Sequence, residues 1–259
     1  MTITKTALVT GGGTRIGTAI CKGLAEAGYA IALHYNSSSE SADRIVAEIE
    51  GAGGKAVAVQ ADLTDSTQTR SLFGKAVDAV GPIGVLINNA SLFEEDAPHT
   101  IDDELWDAHF NVHARAPTLL AADFNAQFDD ARASGDNSDM GLIINMIDER
   151  VWKLTPNFTS YTLSKSTLWT ATRTLAQAFA PQVRVNAIGP GPTLPSKRQT
   201  QDDFDRQIST LLLQRPAQLD EFVSTILYLA NASAVTGQMI ALDGGQHLGW
   251  DTADQRVPE

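Results

Sequence analysis

Short apolar runs alternate with longer amphipathic stretches along most of this 259-residue chain. The runs are rich in Val, Ile, Leu and Ala, which is typical of strands that are covered on both faces of a parallel sheet. Between the runs, apolar residues recur every three or four positions, as they do on the buried face of an α-helix. The alternation predicts an α/β fold.

Seven strands separated by helices are predicted in this way. The predicted strands are Thr6–Thr10, Ala30–Tyr35, Ala56–Ala61, Val85–Asn89, Leu142–Ile147, Val183–Ile188 and Met239–Leu242. The predicted helices are Ile16–Ala27, Ser39–Gly51, Ser66–Val80, Asp103–Ala133, Asn157–Phe179 (with Asn157 as the N-cap) and Leu219–Ala230. This order favours one Rossmann-type domain over residues 1–259, a doubly wound, seven-stranded parallel sheet flanked by helices.

Two segments show neither pattern. Arg132–Met140 is a polar loop, and Gly189–Arg206 is rich in Pro, Thr and Asp. Ligands bind at the carboxyl ends of the strands in such sheets, and the second segment follows a strand's carboxyl end. Residues 189–206 are therefore predicted to form a substrate lid.

Charge and cysteine content narrow the class of protein. The chain has 31 acidic and 19 basic residues, a net charge of −12 and a pI of about 4.8, which disfavours nucleic acid and anionic membranes as partners. The single cysteine, Cys21, excludes an internal disulfide and a multi-cysteine metal site. With no long apolar run and no signal peptide at Met1–Gly13, a soluble cytoplasmic protein without a metal is predicted.

A glycine-rich segment, TGGGTRIG from Thr10 to Gly17, follows the first predicted strand and opens the first predicted helix. Glycines let the backbone approach a pyrophosphate, and the free N–H groups of a helix N-terminus attract its charge. The segment predicts a dinucleotide site, and a turn without a ligand is the alternative. The cofactor-binding residues expected here are Gly11, Thr14, Arg15, Ile16 and Gly17.

The residues after the second predicted strand favour NADPH over NADH. NAD-specific sites carry an acid at this place, whereas the first acid here is Glu40. The Arg15 guanidinium suits a 2′-phosphate through bidentate hydrogen bonds. Further donors are expected from His34, Asn36, Ser37 and Ser38, unless they form a solvated loop. After the third strand, Asp62 and Leu63 are expected to bracket the adenine, unless they form a surface turn.

The segment from Leu142 to Lys165 holds the only compact set of groups that could transfer protons. Tyr161 and Lys165 lie one helical turn apart on one face of a predicted helix. An ammonium near a phenol stabilises the phenolate, so Lys165 is expected to lower the pKa of Tyr161 from about 10 toward neutrality. Tyr161 is therefore the candidate acid. An ordinary amphipathic helix with a surface tyrosine is the alternative.

Four motifs, in this order and at this spacing, resemble those of the short-chain dehydrogenase/reductase family over essentially the whole chain. They are TGGGTRIG, Asn88-Asn89-Ala90, Tyr161 with Lys165, and Asp243-Gly244-Gly245. More narrowly, the chain is similar to pteridine and dihydromonapterin reductases in Arg15, His34-Tyr35, and Asn88–Ser91 followed by Phe93. The resemblance implies a homotetramer, and it implies a cofactor site that also includes Asn89, Ala90, Tyr161, Lys165, Pro190 and Gly191.

Asp148 indicates the substrate class. It lies thirteen positions before Tyr161, where most of the family has a serine and pteridine reductases have an aspartate. An ionised carboxylate cannot donate to a ketone oxygen, but it can accept from an N–H or relay a proton to a ring nitrogen. A nitrogen heterocycle is therefore favoured, and a loop residue paired with Arg150 is the alternative.

Three further residues complete the expected substrate site, and a fourth departs from the family. Phe93 is expected to stack a pterin against the nicotinamide, unless it is a core residue, while Ser91 bonds the polar edge of the pterin. Leu194 is expected to contact the substrate. His113 stands where the family carries a catalytic asparagine, so it is a candidate for holding the water that links Lys165 to solvent; packing is the alternative.

The expected function is NADPH-dependent reduction of a dihydropterin to a tetrahydropterin, with dihydrofolate as a further candidate substrate. Hydride would reach a carbon of a ring C=N bond, while Tyr161, with Asp148 beside it, protonates the nitrogen. A general NADPH-dependent carbonyl or imine reductase is the alternative enzyme. A non-catalytic NADPH sensor is disfavoured, because binding alone would not require both Tyr161 and Lys165.

Overall fold

Seven parallel strands form one sheet in the computed structural model, which describes residues 3–135 and 140–250. The strands are β1 (Thr6–Val9), β2 (Ala30–Tyr35), β3 (Lys55–Gln60), β4 (Val85–Asn88), β5 (Gly141–Met146), β6 (Val183–Pro190) and β7 (Met239–Leu242). Their order is β3-β2-β1-β4-β5-β6-β7, and all neighbours pair in parallel. The predicted α/β class and sheet are confirmed, with strand ends within about two residues of those predicted.

Helices cover both faces of the sheet. They are α1 (Arg15–Glu26), α2 (Ser39–Gly51), α3 (Ser66–Val80), α4 (Asp103–Phe110), α5 (Ala116–Ala126), α6 (Asp129–Ser134), α7 (Thr159–Phe179), α8 (Gln201–Ser209) and α9 (Leu219–Asn231). A π-helical turn, Asn111–Arg115, joins α4 to α5, and two 3₁₀ turns cover Glu149–Val151 and Gln246–Leu248. None of the described helices is long and apolar enough to cross a bilayer.

The prediction of one helix over Asp103–Ala133 is wrong. The π-helical turn interrupts it, and a second break follows α5, where the Gln127 side chain turns to the start of β4. Its amide oxygen accepts from the Ile83 N–H at 2.9 Å and its amide nitrogen donates to the Ile83 carbonyl at 3.3 Å. The predicted loop Arg132–Met140 is helical up to Ser134, and Asp136–Asp139 lie outside the described residues.

The predicted lid is more regular than its composition suggests. Strand β6 continues to Pro190, and α8 begins at Gln201 with a capping box, in which Asp203 N–H donates to Thr200 Oγ1 at 3.2 Å and Thr200 N–H donates to Asp203 Oδ2 at 3.1 Å. These reciprocal bonds satisfy backbone donors that a helix start leaves free. The irregular part therefore shortens to residues 191–200.

Two apolar layers form the core because alternate residues of each strand point to opposite faces of the sheet. Ala7 and Val9 of β1 pack with the first layer, which includes Cys21 of α1 and Phe222 of α9. Leu8 packs with the second layer, under α3 and α5. Cys21 is fully buried, and burial raises the pKa of its thiol well above the usual value.

Candidate active site

The candidate site lies where the carboxyl ends of β1, β4, β5 and β6 meet. The strand order reverses between β1 and β4, since β1 pairs with β2 on one side and with β4 on the other. A crevice at such a point is the usual ligand site of an open parallel sheet. The glycine-rich turn borders it on one side, and the loops after β4, β5 and β6 border it on the other.

The glycine-rich turn is packed without spare room. Gly11 has φ +62°, and a Cβ there would lie 2.8 Å from Ala90 Cα. A Cβ on Gly17 would lie 2.2 Å from the Gly11 carbonyl oxygen and 2.7 Å from Asn89 Nδ2. Asn89 Nδ2 donates to the carbonyls of Thr10 and Gly11 at 2.9 and 3.1 Å. Asn89 and Ala90 are thus part of the turn's support, as the motif predicts.

The first turn of α1 keeps its amide groups available. Thr14 is the N-cap residue and is exposed, and its side chain makes no capping hydrogen bond. A Cβ on Gly13 would lie 3.9 Å from the Ser38 carbonyl oxygen and from Tyr35 Cβ, so this side of the turn packs against the loop after β2 at ordinary contact distance. Ile16 packs against the core instead. An uncapped helix N-terminus with an exposed N-cap residue is suited to an anion.

His34 does not reach the cofactor loop, which corrects the expectation that it serves a phosphate. Its side chain is buried, Nδ1 accepts from the Gly11 N–H at 3.1 Å, and Nε2 lies 3.0 Å from the Ala61 carbonyl. Because a carbonyl can only accept, Nε2 carries the proton and the ring is neutral. Burial lowers the pKa of His34, in agreement with this state. His34 therefore holds the glycine turn against the end of β3.

The loop after β2 remains available to a ligand. Asn36, Ser37 and Ser38 are exposed, and Ser38 is the N-cap residue of α2 without a side-chain capping bond. After β3, Asp62 Oδ1 accepts from the N–H and hydroxyl of Thr64, both at 2.8 Å, so the carboxylate shapes a turn. Leu63 is buried.

Arg15 is directed to residues 191–200, the irregular part of the predicted lid. Its guanidinium donates to the carbonyls of Leu194 and Pro195 at 3.1 and 3.0 Å. The expectation that this side chain faces a 2′-phosphate is not supported by its position. Arg15 also has φ +50°, in the left-handed region that residues other than glycine seldom adopt. Sequence alone gave no signal for these contacts, because their partners are backbone carbonyls about 180 positions away.

Tyr161, Asp148 and Lys165 meet below this crevice. The Tyr161 hydroxyl donates to Asp148 Oδ2 at 2.8 Å, and Asp148 Oδ1 accepts from the Arg150 N–H at 2.9 Å. One carboxylate oxygen of Asp148 thus accepts from Tyr161, and the other accepts from the turn at Arg150. Lys165 Nζ lies 5.7 Å from the centre of the Tyr161 ring and donates to the Met146 carbonyl at 2.7 Å. Tyr161 is buried, which excludes a surface tyrosine.

The expectation that Lys165 lowers the Tyr161 pKa is wrong for this arrangement. Burial, and next the negative charge of Asp148, raise the pKa of Tyr161 well above its usual value. Burial also raises the pKa of Asp148, and it lowers that of Lys165 to about 8. Removal of water from these groups outweighs the effect of the ammonium, whose hydrogen bond goes to a carbonyl. Tyr161 therefore holds its proton firmly at neutral pH.

The start of α7 is fixed from outside the helix, so the prediction of Asn157 as the N-cap is wrong. The helix begins at Thr159 after Phe158, which has φ +59°. The buried Asp96 carboxylate accepts from the Ser160 N–H at 3.1 Å, and the Asp96 carbonyl accepts from the Phe158 N–H at 2.8 Å. Asp96 thus supplies the cap that Asn157 was expected to give and locates the helix that carries Tyr161.

Phe93 belongs to an aromatic pair at the mouth of the site. Its ring stacks on Phe158 with centres 4.4 Å apart and meets the edge of Tyr161 at 4.8 Å. Arg150 and Arg198 flank the pair, with Arg198 Cζ 5.1 Å from the Phe93 ring centre. Arg198 also donates to the Phe93 carbonyl at 2.9 Å and to Glu94 at 3.0 Å. Phe93 is partly exposed and is not a core residue.

His113 cannot hold the water that the sequence assigned to it, because protein groups occupy both ring nitrogens. Nδ1 lies 2.9 Å from Ser164 Oγ. Nε2 lies 3.1 Å from Ser91 Oγ and accepts from the Leu92 N–H at 3.1 Å. The ring is buried in the π-helical turn, and burial together with Lys165 lowers its pKa well below the usual value. His113 supports the loop after β4.

Beside Asp148 lies a second buried carboxyl group, Glu149. Its Oε2 finds no hydrogen-bond partner within the described part of the chain. Burial, and next the charge of Asp148, raise the pKa of Glu149 to about 7. Asp243, which is also buried, adds to this repulsion and accepts from the Gly245 and His247 N–H groups at 2.9 and 2.8 Å. The Asp243-Gly244-Gly245 motif thus lies close to Glu149, next to Asp148.

Pro190 and Gly191 lead from β6 into the lid. The Gly191 N–H donates to the Leu242 carbonyl at 2.9 Å, and a Cβ on Gly191 would lie 2.6 Å from Asp243 Cα. The lid therefore leaves the sheet in close contact with the Asp243 motif. Across residues 3–135 and 140–250, no group of three or more His, Cys, Asp or Glu side chains is arranged to hold a metal ion.

The fold and the Tyr161, Lys165 and glycine-turn arrangement define a short-chain reductase. The chain belongs to the short-chain dehydrogenase family, whose family model matches residues 5–206. An oxidoreductase from Methylorubrum extorquens is 34% identical over 249 residues, which cover 93% of this chain and 97% of that protein. A 3-oxoacyl-[acyl-carrier-protein] reductase FabG from Staphylococcus aureus is 29% identical, with 96% and 100% covered.

Among solved structures, the chain is similar to FolM alternative dihydrofolate reductase 1 from Brucella canis, which was crystallised with NADP. The two are 51% identical, the TM-score is 0.92, and the match covers 98% of each chain. The resemblance to pterin-type reductases that Arg15, Asp148 and Phe93 indicated is confirmed at this level.

Proposed function

We propose that this protein is an NADPH-dependent reductase of a pterin, which converts a dihydropterin to its tetrahydro form, with dihydrofolate as a further candidate substrate. The observation that carries the proposal is the hydrogen bond of 2.8 Å between the Tyr161 hydroxyl and Asp148. It places a carboxylate where a carbonyl reductase would need a donor. The similarity to the FolM reductase from Brucella canis supports the same substrate class.

The residues around the glycine turn fit NADPH. The uncapped start of α1, with exposed Thr14 as its N-cap residue, suits a pyrophosphate. Asn36, Ser37 and Ser38 are exposed, and the first acidic residue after β2 is Glu40. When bound, the nicotinamide supplies the hydride. In this proposal Lys165, whose Nζ donates to the Met146 carbonyl, binds the ribose of the nicotinamide.

Tyr161 and Asp148 together supply the proton in this proposal. The raised pKa of Tyr161 keeps its hydroxyl protonated until a basic ring nitrogen approaches. Asp148, partly buried with its pKa raised by burial, takes or returns a proton at Oδ2. Since Arg150 and Asp148 both reach the surface, this pair connects the phenol to solvent without a path through Lys165.

The experiment that tests this proposal measures NADPH consumption with a dihydropterin, dihydrofolate and an activated ketone side by side. Asp148→Asn keeps the shape of the side chain but removes the proton relay, so kcat on the dihydropterin should fall about 100-fold or more while NADPH still binds. Asp148→Ser restores a donor, so ketone turnover should rise and pterin turnover should stay low. Wild-type pterin turnover in Asp148→Ser would favour a carbonyl reductase, the activity of the FabG relative.

We further propose the homotetramer that the family resemblance implies. A shallow, largely apolar groove of about 620 Å³ runs along α7 beside α4 and α5, lined by Trp106, Phe110, Leu163 and Leu175 among others. Exposed apolar grooves of this kind favour covering by another subunit. Light scattering should give a mass of four chains, and Leu163→Arg, in the groove, should reduce it.

A further inference from the structure

Ser91, the serine expected to bond the substrate, is itself held by a histidine. Ser91 follows β4, is exposed to the crevice, and its Oγ lies 3.1 Å from His113 Nε2. Whether a serine hydroxyl donates or accepts depends on where its one proton points. The surroundings of His113 determine that direction.

Two independent hydrogen bonds fix the tautomer of His113. The Ser164 hydroxyl donates to the Tyr161 carbonyl at 2.7 Å, so Ser164 Oγ can only accept from His113, and Nδ1 carries the proton. At the other nitrogen, the Leu92 N–H donates to Nε2, so Nε2 has no proton. Burial and the charge of Lys165 oppose a doubly protonated ring, as the lowered pKa indicates.

The proton of Ser91 consequently points inward. Nε2 can only accept, so its contact with Ser91 requires the serine to donate. The Tyr161 oxygen, which the Ser91 hydroxyl also reaches, is the other internal acceptor. With either partner, the lone pairs of Ser91 Oγ are left facing the crevice.

We propose that His113 is a positioning residue that makes Ser91 a hydrogen-bond acceptor toward the substrate, and thereby selects a heterocycle with an N–H or NH₂ edge over a ketone. The inference rests on the proposed function for the identity of the preferred substrate. A heterocycle with N–H groups supplies the donor that Ser91 requires, whereas a simple ketone has only an acceptor oxygen. This role differs from that of a water-holding residue at the same place in the helix.

The first test measures kcat/KM for a dihydropterin and for an activated ketone in a double-mutant cycle. His113→Asn removes the Nε2 acceptor, so the ratio of pterin to ketone efficiency should fall about tenfold, as it should in Ser91→Ala. The double variant should show no further fall, because both changes remove one interaction. Effects that multiply would mean that His113 acts apart from Ser91 and would overturn the proposal.

A matched control is His109→Asn, which removes the neighbouring buried ring that stacks on His113 at 5.5 Å and bonds Ser160 instead of Ser91. It should leave the substrate ratio unchanged. The same fall in His109→Asn would assign the effect to packing and would overturn the proposal.

The second test does not depend on turnover. Nitrogen-15 NMR of the histidine rings should show His113 neutral with Nδ1 protonated, and Ser164→Ala should disturb that pattern. A proton on Nε2 would overturn the inference even if the enzyme reduces pterins. Conversely, a wild-type protein that leaves dihydropterins unreduced would remove the proposed function, while the NMR result would still decide the tautomer.

Discussion

The two sides of the candidate site are built in different ways. On the cofactor side, the contacts are between main chain and short polar side chains: Asn89 donates to the carbonyls of the glycine turn, and a Cβ on Gly17 would overlap the Gly11 carbonyl. On the substrate side, long side chains from three separate loops meet near the surface, as Phe93, Phe158 and Arg198 do. The cofactor side has no room for a side-chain atom on Gly11 or Gly17, whereas the substrate side has room for a different side chain.

This difference separates positions that tolerate no substitution, in the glycine turn, from positions on the substrate side that can be substituted. Backbone atoms cannot move aside, so a substitution in the glycine turn alters the fold of the turn itself. Exposed aromatic and guanidinium contacts are each worth little and can be exchanged singly. We therefore expect cofactor binding to be sensitive to single atoms and substrate choice to be adjustable.

The strongest test of the rigid side is Gly17→Ala. The added Cβ would lie 2.2 Å from a carbonyl oxygen, so the turn must open, and NADPH affinity should fall about 100-fold or more. Fluorescence titration with NADPH measures the loss. Gly74→Ala on α3, where nothing lies within 4 Å, is the control and should stabilise the fold by about 0.5 to 1 kcal/mol. Unchanged affinity in Gly17→Ala would show that the turn has slack.

Glu149 tests whether a buried carboxyl group beside Asp148 lowers the stability of the substrate side. Its pKa is raised from 4.5 to about 7, so the folded state keeps a proton that the unfolded chain loses at lower pH. The stability of the wild type should therefore fall as pH rises from about 4.5 to 7. Glu149→Gln removes this loss and should stabilise the protein by about 2 to 3 kcal/mol at pH 8 and little at pH 4.5.

The measurement is urea unfolding of the wild type and of Glu149→Gln at pH 4.5 and at pH 8. An equal gain at both pH values would trace the effect to packing rather than to charge.

Phe93→Ala probes the adjustable side. Loss of the aromatic surface should weaken pterin binding about tenfold, because ring stacking is worth roughly 1 to 3 kcal/mol, and NADPH affinity should stay the same. Steady-state KM for a dihydropterin checks the first statement, and titration with NADPH checks the second. Phe158→Ala, which removes the ring behind Phe93, should have a smaller effect in the same direction. A pterin KM that does not change would mean that Phe93 makes no contact with substrate.

Arg15 joins the two sides, and the smallest effect is expected there. Arg15→Gly suits the left-handed backbone and removes both bonds to the lid, so NADPH and NADH should weaken alike, by about threefold to tenfold. Binding titrations of Arg15→Gly with NADPH and with NADH measure the two losses of affinity. A loss confined to NADPH would restore the 2′-phosphate role that the sequence suggested.

The sheet and its strands could be predicted because each strand is a local apolar run with both faces covered. The pairing of Tyr161 with Asp148 also followed from spacing and family resemblance, although its geometry did not. Asp96 as the cap of α7 could not be predicted, because it lies 64 positions before Ser160 and belongs to a loop with no periodic pattern. The same applies to Arg15 and the lid.

Burial was the other unpredictable factor. The spacing of Tyr161 and Lys165 correctly places them on one face, but it contains no information on how much water surrounds them. His34 shows the same limit, since a polar residue at the end of a strand looks like a surface ligand until Gly11 and Ala61 enclose it. Local sequence therefore predicts which residues form the site better than it predicts their protonation states.

Cys21 has a practical consequence for spectroscopy of the lid. As the chain's single cysteine, enclosed in the core with a raised thiol pKa, it should react very slowly with alkylating dyes. A cysteine introduced at exposed Lys197 would then be the one fast-reacting thiol on the lid. A fluorophore attached there would show whether residues 191–200 move as a lid during turnover, in an otherwise unmodified protein.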